Sequence, residues 1–384
     1  MGQAAIAAQA ADLRAEPGVA PAYRAEPVGS MLRPGYLQEA HRDHQAGALA
    51  DERLRHEEDT AVRAAIAAQA AAGLDVVTDG EQRRAVFFDH LFRAVSGLSL
   101  VPGMTVVLRD DQGGSYTMQC PVSVTGRVER VRGIAFAEYT YAQAHSRLPV
   151  KATMASPFLI HAAWNPELSR RAYRDPWRCF TDCAEVLRAE ARDLARAGCR
   201  YIQIDAPELL VLWCGGPLAA QLDAAGLPVE KIKHEGIDVL NDITAAAPGV
   251  LWGLHMCRGN GQGKWLAAGG YEEAARYMFP RTAGFGRLLL EYDDGRSGGF
   301  EPLRYLPAST VAVLGLVSTK HDRLEEVSGI VARIEAAARF ADLGQLAVST
   351  QCGFAAAADG SVLSEAAQAG KLRVVADAAR QVWN

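Results

Sequence analysis

His255-Met256-Cys257 sets an imidazole and a thiol two residues apart. In an extended segment alternate side chains point the same way, so both can reach one metal ion. Cys352 closes a later apolar run, and Glu291 closes one between them. An imidazole, two thiols and a carboxylate make a tetrahedral donor set, and the soft thiolates select zinc over magnesium or calcium. The donors lie too far apart in the chain for a zinc finger. The fold itself must bring them together, which points to a working site. Other apolar runs end in Ser30, in Asp79 and Glu81, in Asp205 and in Ser318. The remaining cysteines, Cys120, Cys179, Cys183, Cys199 and Cys214, read as bystanders among apolar neighbours. His41, His44 and His56 fall in a charged helical region, whereas His161 and His234 could approach the same site.

These residues need a frame that gathers strand ends. Eight short apolar runs are candidate strands: 24–30, 73–78, 150–155, 200–204, 250–254, 287–290, 311–317 and 346–349. Helical periodicity fills roughly 34–72, 159–173, 176–197, 217–247, 264–280, 324–341 and 362–382. Strand-then-helix repetition predicts parallel strands, and eight units in this length fit a (β/α)8 TIM barrel. A doubly wound open sheet is the alternative. In a barrel the C-terminal strand ends converge on one mouth, where catalytic residues gather. Residues 101–141 break the rhythm with Thr/Val/Tyr alternation and an Asp-Asp-Gln-Gly-Gly turn. An inserted antiparallel β excursion at about 99–145, after the second unit, is the expectation. The Ala-rich residues 1–20 read as an N-terminal extension to a single catalytic domain over 21–384.

The composition agrees with such an enzyme and excludes other classes. The 384 residues carry 40 Lys+Arg against 45 Asp+Glu, a formal charge of −5, which leaves no basic footprint for nucleic acid or anionic membrane. No run approaches the ~18 apolar residues of a membrane span, and the N-terminus lacks the pattern of a secretory signal. Seven scattered cysteines in a chain able to bury a large core fit a reduced, cytoplasmic protein better than a disulfide scaffold.

Taken together, the segments PVGSMLRP, GLDVVTDGEQRR, YIQIDAPEL, LHMCRGN, LLLEYDD and STQCGF resemble the cobalamin-independent methionine synthase family, specifically its C-terminal catalytic barrel. The resemblance implies zinc held by His255, Cys257, Glu291 and Cys352, with Glu291 the labile ligand, and alkylation of an incoming thiol bound as thiolate. It also implies a homocysteine pocket in which Ser30 holds the carboxylate while Glu81 and Asp205 hold the ammonium. The chain departs from the family where Asp-Glu-Pro becomes Asp205-Ala206-Pro207 and where Asp-x-His becomes Ser318-Thr319-Lys320. The pterin-stacking Trp has no counterpart after Met154-Ala155-Ser156-Pro157, although Trp164 is near. These departures weigh against methyltetrahydrofolate as alkyl donor and leave a corrinoid donor or an epoxide.

Two enzymatic readings therefore stand. One is methyl transfer to a thiol such as homocysteine, with Asp205 and Lys320 taking part in the chemistry. The alternative is an epoxide:thiol transferase of the coenzyme M type, or a related C–S lyase. There Arg83, Arg84 or Arg258 would meet a sulfonate and Lys320 a leaving oxyanion. A non-catalytic zinc-binding barrel would not need Ser30, Glu81 and Asp205. Homodimer formation is an open option for a barrel of this size.

Overall fold

The computed structural model describes residues 23–383 apart from Asp359, so the extension expected over 1–20 lies outside the described residues. Seven strands form one parallel sheet: β1 (Ala25–Glu26), β2 (Lys151–Ala155), β3 (Tyr201–Asp205), β4 (Leu251–Met256), β5 (Arg287–Glu291), β6 (Val311–Val317) and β7 (Leu346–Thr350). The order across the sheet is β1-β7-β6-β5-β4-β3-β2, with Ala25 opposite Val348. A doubly wound sheet would place its first strand inside and reverse direction at a switch point. Here the first strand pairs with the last and the rest follow chain order, so that alternative fails.

The remaining run expected from the sequence spans the two edge strands. Asp75 N–H donates to the Ala25 carbonyl at 2.9 Å, and Lys151 N–H donates to the Val77 carbonyl at 2.8 Å. Val77 forms a parallel bridge with Val150. The α/β architecture is thus barrel-like. β2, β3, β5 and β7 are buried along their whole length, as strands covered on both faces must be.

Helices cover the outside, and they are more broken than the periodicity predicts. The 34–72 stretch divides into Gly35–Gln45 and Asp51–Ala72 around Gly47, whose φ is 73°. The 217–247 stretch divides at Gly226-Leu227-Pro228. Over 264–280 only Glu272–Met278 is α-helical, because Gly269-Gly270 interrupts the first half. Over 159–173 there is a 3-10 turn, Pro157–Ala163, and one short helix, Ser169–Ala172, with Asn165-Pro166 between them. Pro176–Arg196 is unbroken: Pro176 opens it, and the Asp175 side chain accepts from Trp177 N–H. Cys179 and Cys183 share its buried face with Phe180 and Leu187.

Two short antiparallel ladders lie between Thr78 and β2. Thr105–Arg109 pairs with Ser115–Gln119, setting Val106 opposite Met118, and Leu98–Ser99 pairs with Ser123–Val124. Phe136–His145 is a helix, although residues 101–141 show no helical period in sequence. Its β-favouring Thr140 and Tyr141 mask a buried stripe of Glu138, Tyr139 and Ala142.

At the N-terminal ends of the strands the interior is ionic. Glu26 accepts from Lys151 Nζ at 2.9 Å, Tyr201 Oη at 2.7 Å and Arg287 Nε at 2.7 Å, all buried. Every charge there has an opposite partner, as burial demands.

Candidate active site

The opposite strand ends hold the chemistry. His255 is the fifth residue of β4, and Cys257 follows its last residue. Cys352 lies two residues past β7. One ligand atom from each of these three lies within 4.8 Å of the others, and all three side chains are buried. His255 Nδ1 is 3.0 Å from Asp205 Oδ1 and donates to it, which leaves Nε2 as the ring nitrogen that a metal would bind in place of a proton. Nε2 is buried with no hydrogen-bond partner among the described residues. A metal-bound histidine is oriented in this way, its second nitrogen donating to a carboxylate.

The thiols fit a cation as well. A hydrogen bond from Cys352 pulls Cys257 down to about 5; burial opposes this and the charge of His255 assists it. Cys352 is pushed well above the thiol range by the same hydrogen bond and by burial. Burial lowers His255, but Cys257 and Asp205 outweigh it and raise the imidazole to about 10. At neutral pH the cluster thus pairs a Cys257 thiolate with a protonated His255 and a neutral Cys352 thiol, and a divalent cation would take the place of the protons on the latter two.

Glu291, the fourth residue expected at this centre, ends β5 with its carboxylate engaged elsewhere. It accepts from Arg258 N–H at 2.7 Å and from Arg296 Nη2 at 2.9 Å.

A cavity of about 110 Å³ opens onto His255, Cys257 and Cys352. Ser30, Glu81 and Asp205 line it too, as does His161. Glu81 stands in the left-handed region (φ 55°), a strained position held by the Asp79-Gly80-Glu81 turn, in which Asp79 Oδ1 accepts from Glu81 N–H. One Glu81 oxygen takes a hydrogen bond from Thr153 at 3.0 Å and faces Arg84, while the other is buried without a partner among the described residues. Burial raises the Glu81 carboxyl to about 7; Arg84 works against this and Asp205 with it. Two glycines give these side chains room. A Cβ on Gly29 would stand 2.5 Å from Glu81 Oε1, and one on Gly353 would stand 2.0 Å from Ser30 Oγ.

The other walls are apolar: Phe87, Phe88, Leu159, Leu218 and Leu266, with Val106, Leu108 and Met118 from the antiparallel ladder. That ladder is anchored across the mouth. Met104 N–H donates to the Ala162 carbonyl, Gln221 Nε2 to Thr105 O, and Arg109 exchanges backbone hydrogen bonds with Trp265.

The expected cations lie outside this cavity. Arg83 pairs with Asp59, and Arg84 is buried against Glu138 at 2.7 Å. Arg258 packs over the Tyr271 ring and donates to the Gly269 carbonyl. Lys320 Nζ lines an outer groove, contacting Asp294 at 2.7 Å and Asp293 at 2.8 Å, and reaches Glu291 Oε1 at 3.5 Å. Trp164 is a core residue whose Nε1 donates to the Ala225 carbonyl. His234 is half-buried and stacks edge-on against Trp213 and Tyr277, away from the cavity.

One residue of the wall escaped the sequence reading. Glu208, three residues beyond Asp205, lines the cavity with both carboxyl oxygens buried and unpartnered among the described residues. Its signal was the Pro207 that turns the chain straight from β3 into a helix.

Comparisons with known proteins bear on the family and the fold. The family described as cobalamin-independent synthase, catalytic domain, matches residues 26–257. The protein YxjG of Bacillus subtilis (strain 168), described as uncharacterized, is 34% identical over 94% of this chain and 95% of its own length. The methionine synthase of Sulfurisphaera tokodaii is 31% identical over 47% of this chain and 51% of its own. Among solved structures, a B12-independent methionine synthase from Shewanella sp. W3-18-1, in complex with selenomethionine, superposes with a TM-score of 0.74. It is 20% identical, with 94% of this chain and 97% of that one covered, and so shares the fold. The chain belongs to the cobalamin-independent synthase catalytic-domain family.

Proposed function

We propose that this chain is a zinc-dependent thiol methyltransferase of the methionine synthase type, acting on homocysteine or a close thiol. The observation that carries the reading is the His255, Cys257 and Cys352 group, which opens into the same cavity as the unpartnered oxygen of Glu81. These three residues would hold the zinc, with Glu291 as a fourth, exchangeable donor already secured by Arg258 and Arg296. When bound, zinc supplies the charge that keeps a coordinated thiol ionised yet nucleophilic at neutral pH.

The chain's own residues do the rest. Asp205 fixes the His255 ring and, with Glu81, offers carboxylates to an ammonium group. Ser30 Oγ, beside the Ala355 N–H at 3.3 Å, faces the carboxylate end. The apolar upper walls exclude water, so a reactive donor is spent on the thiol and not on hydrolysis. The epoxide:coenzyme M reading gains no support from the cavity wall, because no Lys or Arg is among its lining residues.

Metal analysis tests the centre. Stoichiometric zinc is expected in the wild type, with loss in Cys257→Ala and Cys352→Ala; zinc-free wild type or fully loaded variants would overturn the reading. Homocysteine offered with methyltetrahydrofolate, methylcobalamin or an epoxide, with products read by mass, then identifies the donor. Product from none of them counts against the thiol-alkylation assignment.

A further inference from the structure

Alkylating a thiol leaves a second demand on the site, because a leaving atom departs with an electron pair. An amine nitrogen or ether oxygen is a poor leaving group unless a proton reaches it as the bond breaks. The acids of the cavity wall can be sorted by what they already do. Asp205 holds His255, and Glu81 is held by Thr153 and Arg84. His161 donates Nδ1–H to the Phe158 carbonyl at 2.8 Å, and burial lowers it to about 4, so at neutral pH it offers only a lone pair. Lys320 lines the outer groove, and its three carboxylate partners, Asp293, Asp294 and Glu291, hold its proton.

Glu208 is the least engaged of these: among the described residues neither carboxyl oxygen has a full hydrogen-bond partner, and only the Ser156 hydroxyl and its own N–H lie near enough to favour its charged form. It is 2% exposed, sits in the first turn of the helix Pro207–Cys214, and shares the cavity wall with His255 and Cys257. We propose that Glu208 is the general acid that protonates the leaving nitrogen or oxygen of a neutral alkyl donor. The inference rests on the reading of this cavity as the place where a thiol is alkylated. In the step, the thiolate sulfur supplies the electron pair of the new S–C bond. The C–N or C–O bond breaks, its pair stays on the leaving atom, and the Glu208 proton joins it there. The carboxylate left behind regains a proton from water as products depart.

Removal from water favours the neutral carboxyl, and burial raises Glu208 to about 8. Ser156 opposes that shift, while Asp205 and Cys257 add to it.

Two small electrophiles separate acid catalysis from mere shape. Ethylene oxide needs a proton on its leaving oxygen, and iodomethane needs none. With zinc-loaded protein and homocysteine, Glu208→Gln is expected to slow the epoxide reaction roughly 100-fold or more. The same variant should keep its zinc and react with iodomethane at the wild-type rate. Infrared difference spectra of wild type minus Glu208→Gln at pH 7 should show a protonated-carboxyl band, with or without metal. An unchanged epoxide rate, an equal loss with both electrophiles, or a missing band overturns the assignment. So does a wild type that accelerates iodomethane but not the epoxide. A wild type that accelerates neither brings down the thiol-alkylation reading itself, and the proposal with it.

Discussion

Asp205 serves two neighbours at once, accepting from Gln203 Nε2 at 2.6 Å and from His255 Nδ1 at 3.0 Å. One carboxylate oxygen, Oδ1, therefore fixes both the Gln203 amide and the His255 ring. His161 makes a separate, measurable contribution. Its folded pKa lies near 4, below the ~6.5 of an unfolded chain, so between these values the unfolded state binds the extra proton. That contribution is intact above pH 6.5 and is lost as pH falls toward 4, by about 3 kcal/mol in all. Urea unfolding at pH 7 and at pH 4.5 should show this loss in wild type and its absence in His161→Gln. Parallel losses in the two proteins would refute it. His255, Cys257 and Cys352 were legible because each closes an apolar run. The roles of Arg83, Arg84 and Arg258 were not legible, because a cation in a sequence does not reveal its partner. Glu138, which takes Arg84, lies 54 positions away.

Glycines beside the strand ends decide where the pocket acids stand. Gly29→Ala should push Glu81 aside while leaving the zinc donors untouched, since the new Cβ would meet Oε1 at 2.5 Å. A misplaced charged hydrogen bond costs about 1.5–3 kcal/mol, so KM for homocysteine should rise roughly 10- to 100-fold with zinc content unchanged. An unaltered KM would remove Glu81 from the thiol site. The strands were the legible elements: short apolar runs with polar ends locate themselves. The helices were less so, because periodicity continues across Gly226-Leu227-Pro228 and Gly269-Gly270 even though the backbone turns there. Phe136–His145 went unseen for the reason given by its Thr and Tyr content.

Across the whole molecule, the parallel α/β class followed from repetition alone. The wrap was expected only from the count of eight units, and the Ala25 to Val348 pairing, which joins opposite ends of the chain, is the contact that bears it out. Beneath the mouth, the single carboxylate of Glu26 pairs with both Lys151 and Arg287. Glu26→Gln would leave two buried cations without a counter-charge and is expected to cost about 3–5 kcal/mol. Chemical denaturation measures it, and a loss under about 1 kcal/mol would show the network to be dispensable.

The antiparallel ladder over the cavity divides the molecule's labour in another sense. The seven parallel strands and their ends supply every candidate metal donor, whereas Val106, Leu108 and Met118 come from a segment outside that sheet. Exchanging that one hairpin would therefore reshape one wall of the cavity while leaving the His255, Cys257 and Cys352 group and the Ser30, Glu81 and Asp205 wall in place. Grafting hairpins between relatives would test whether that wall alone sets which small molecules the cavity admits.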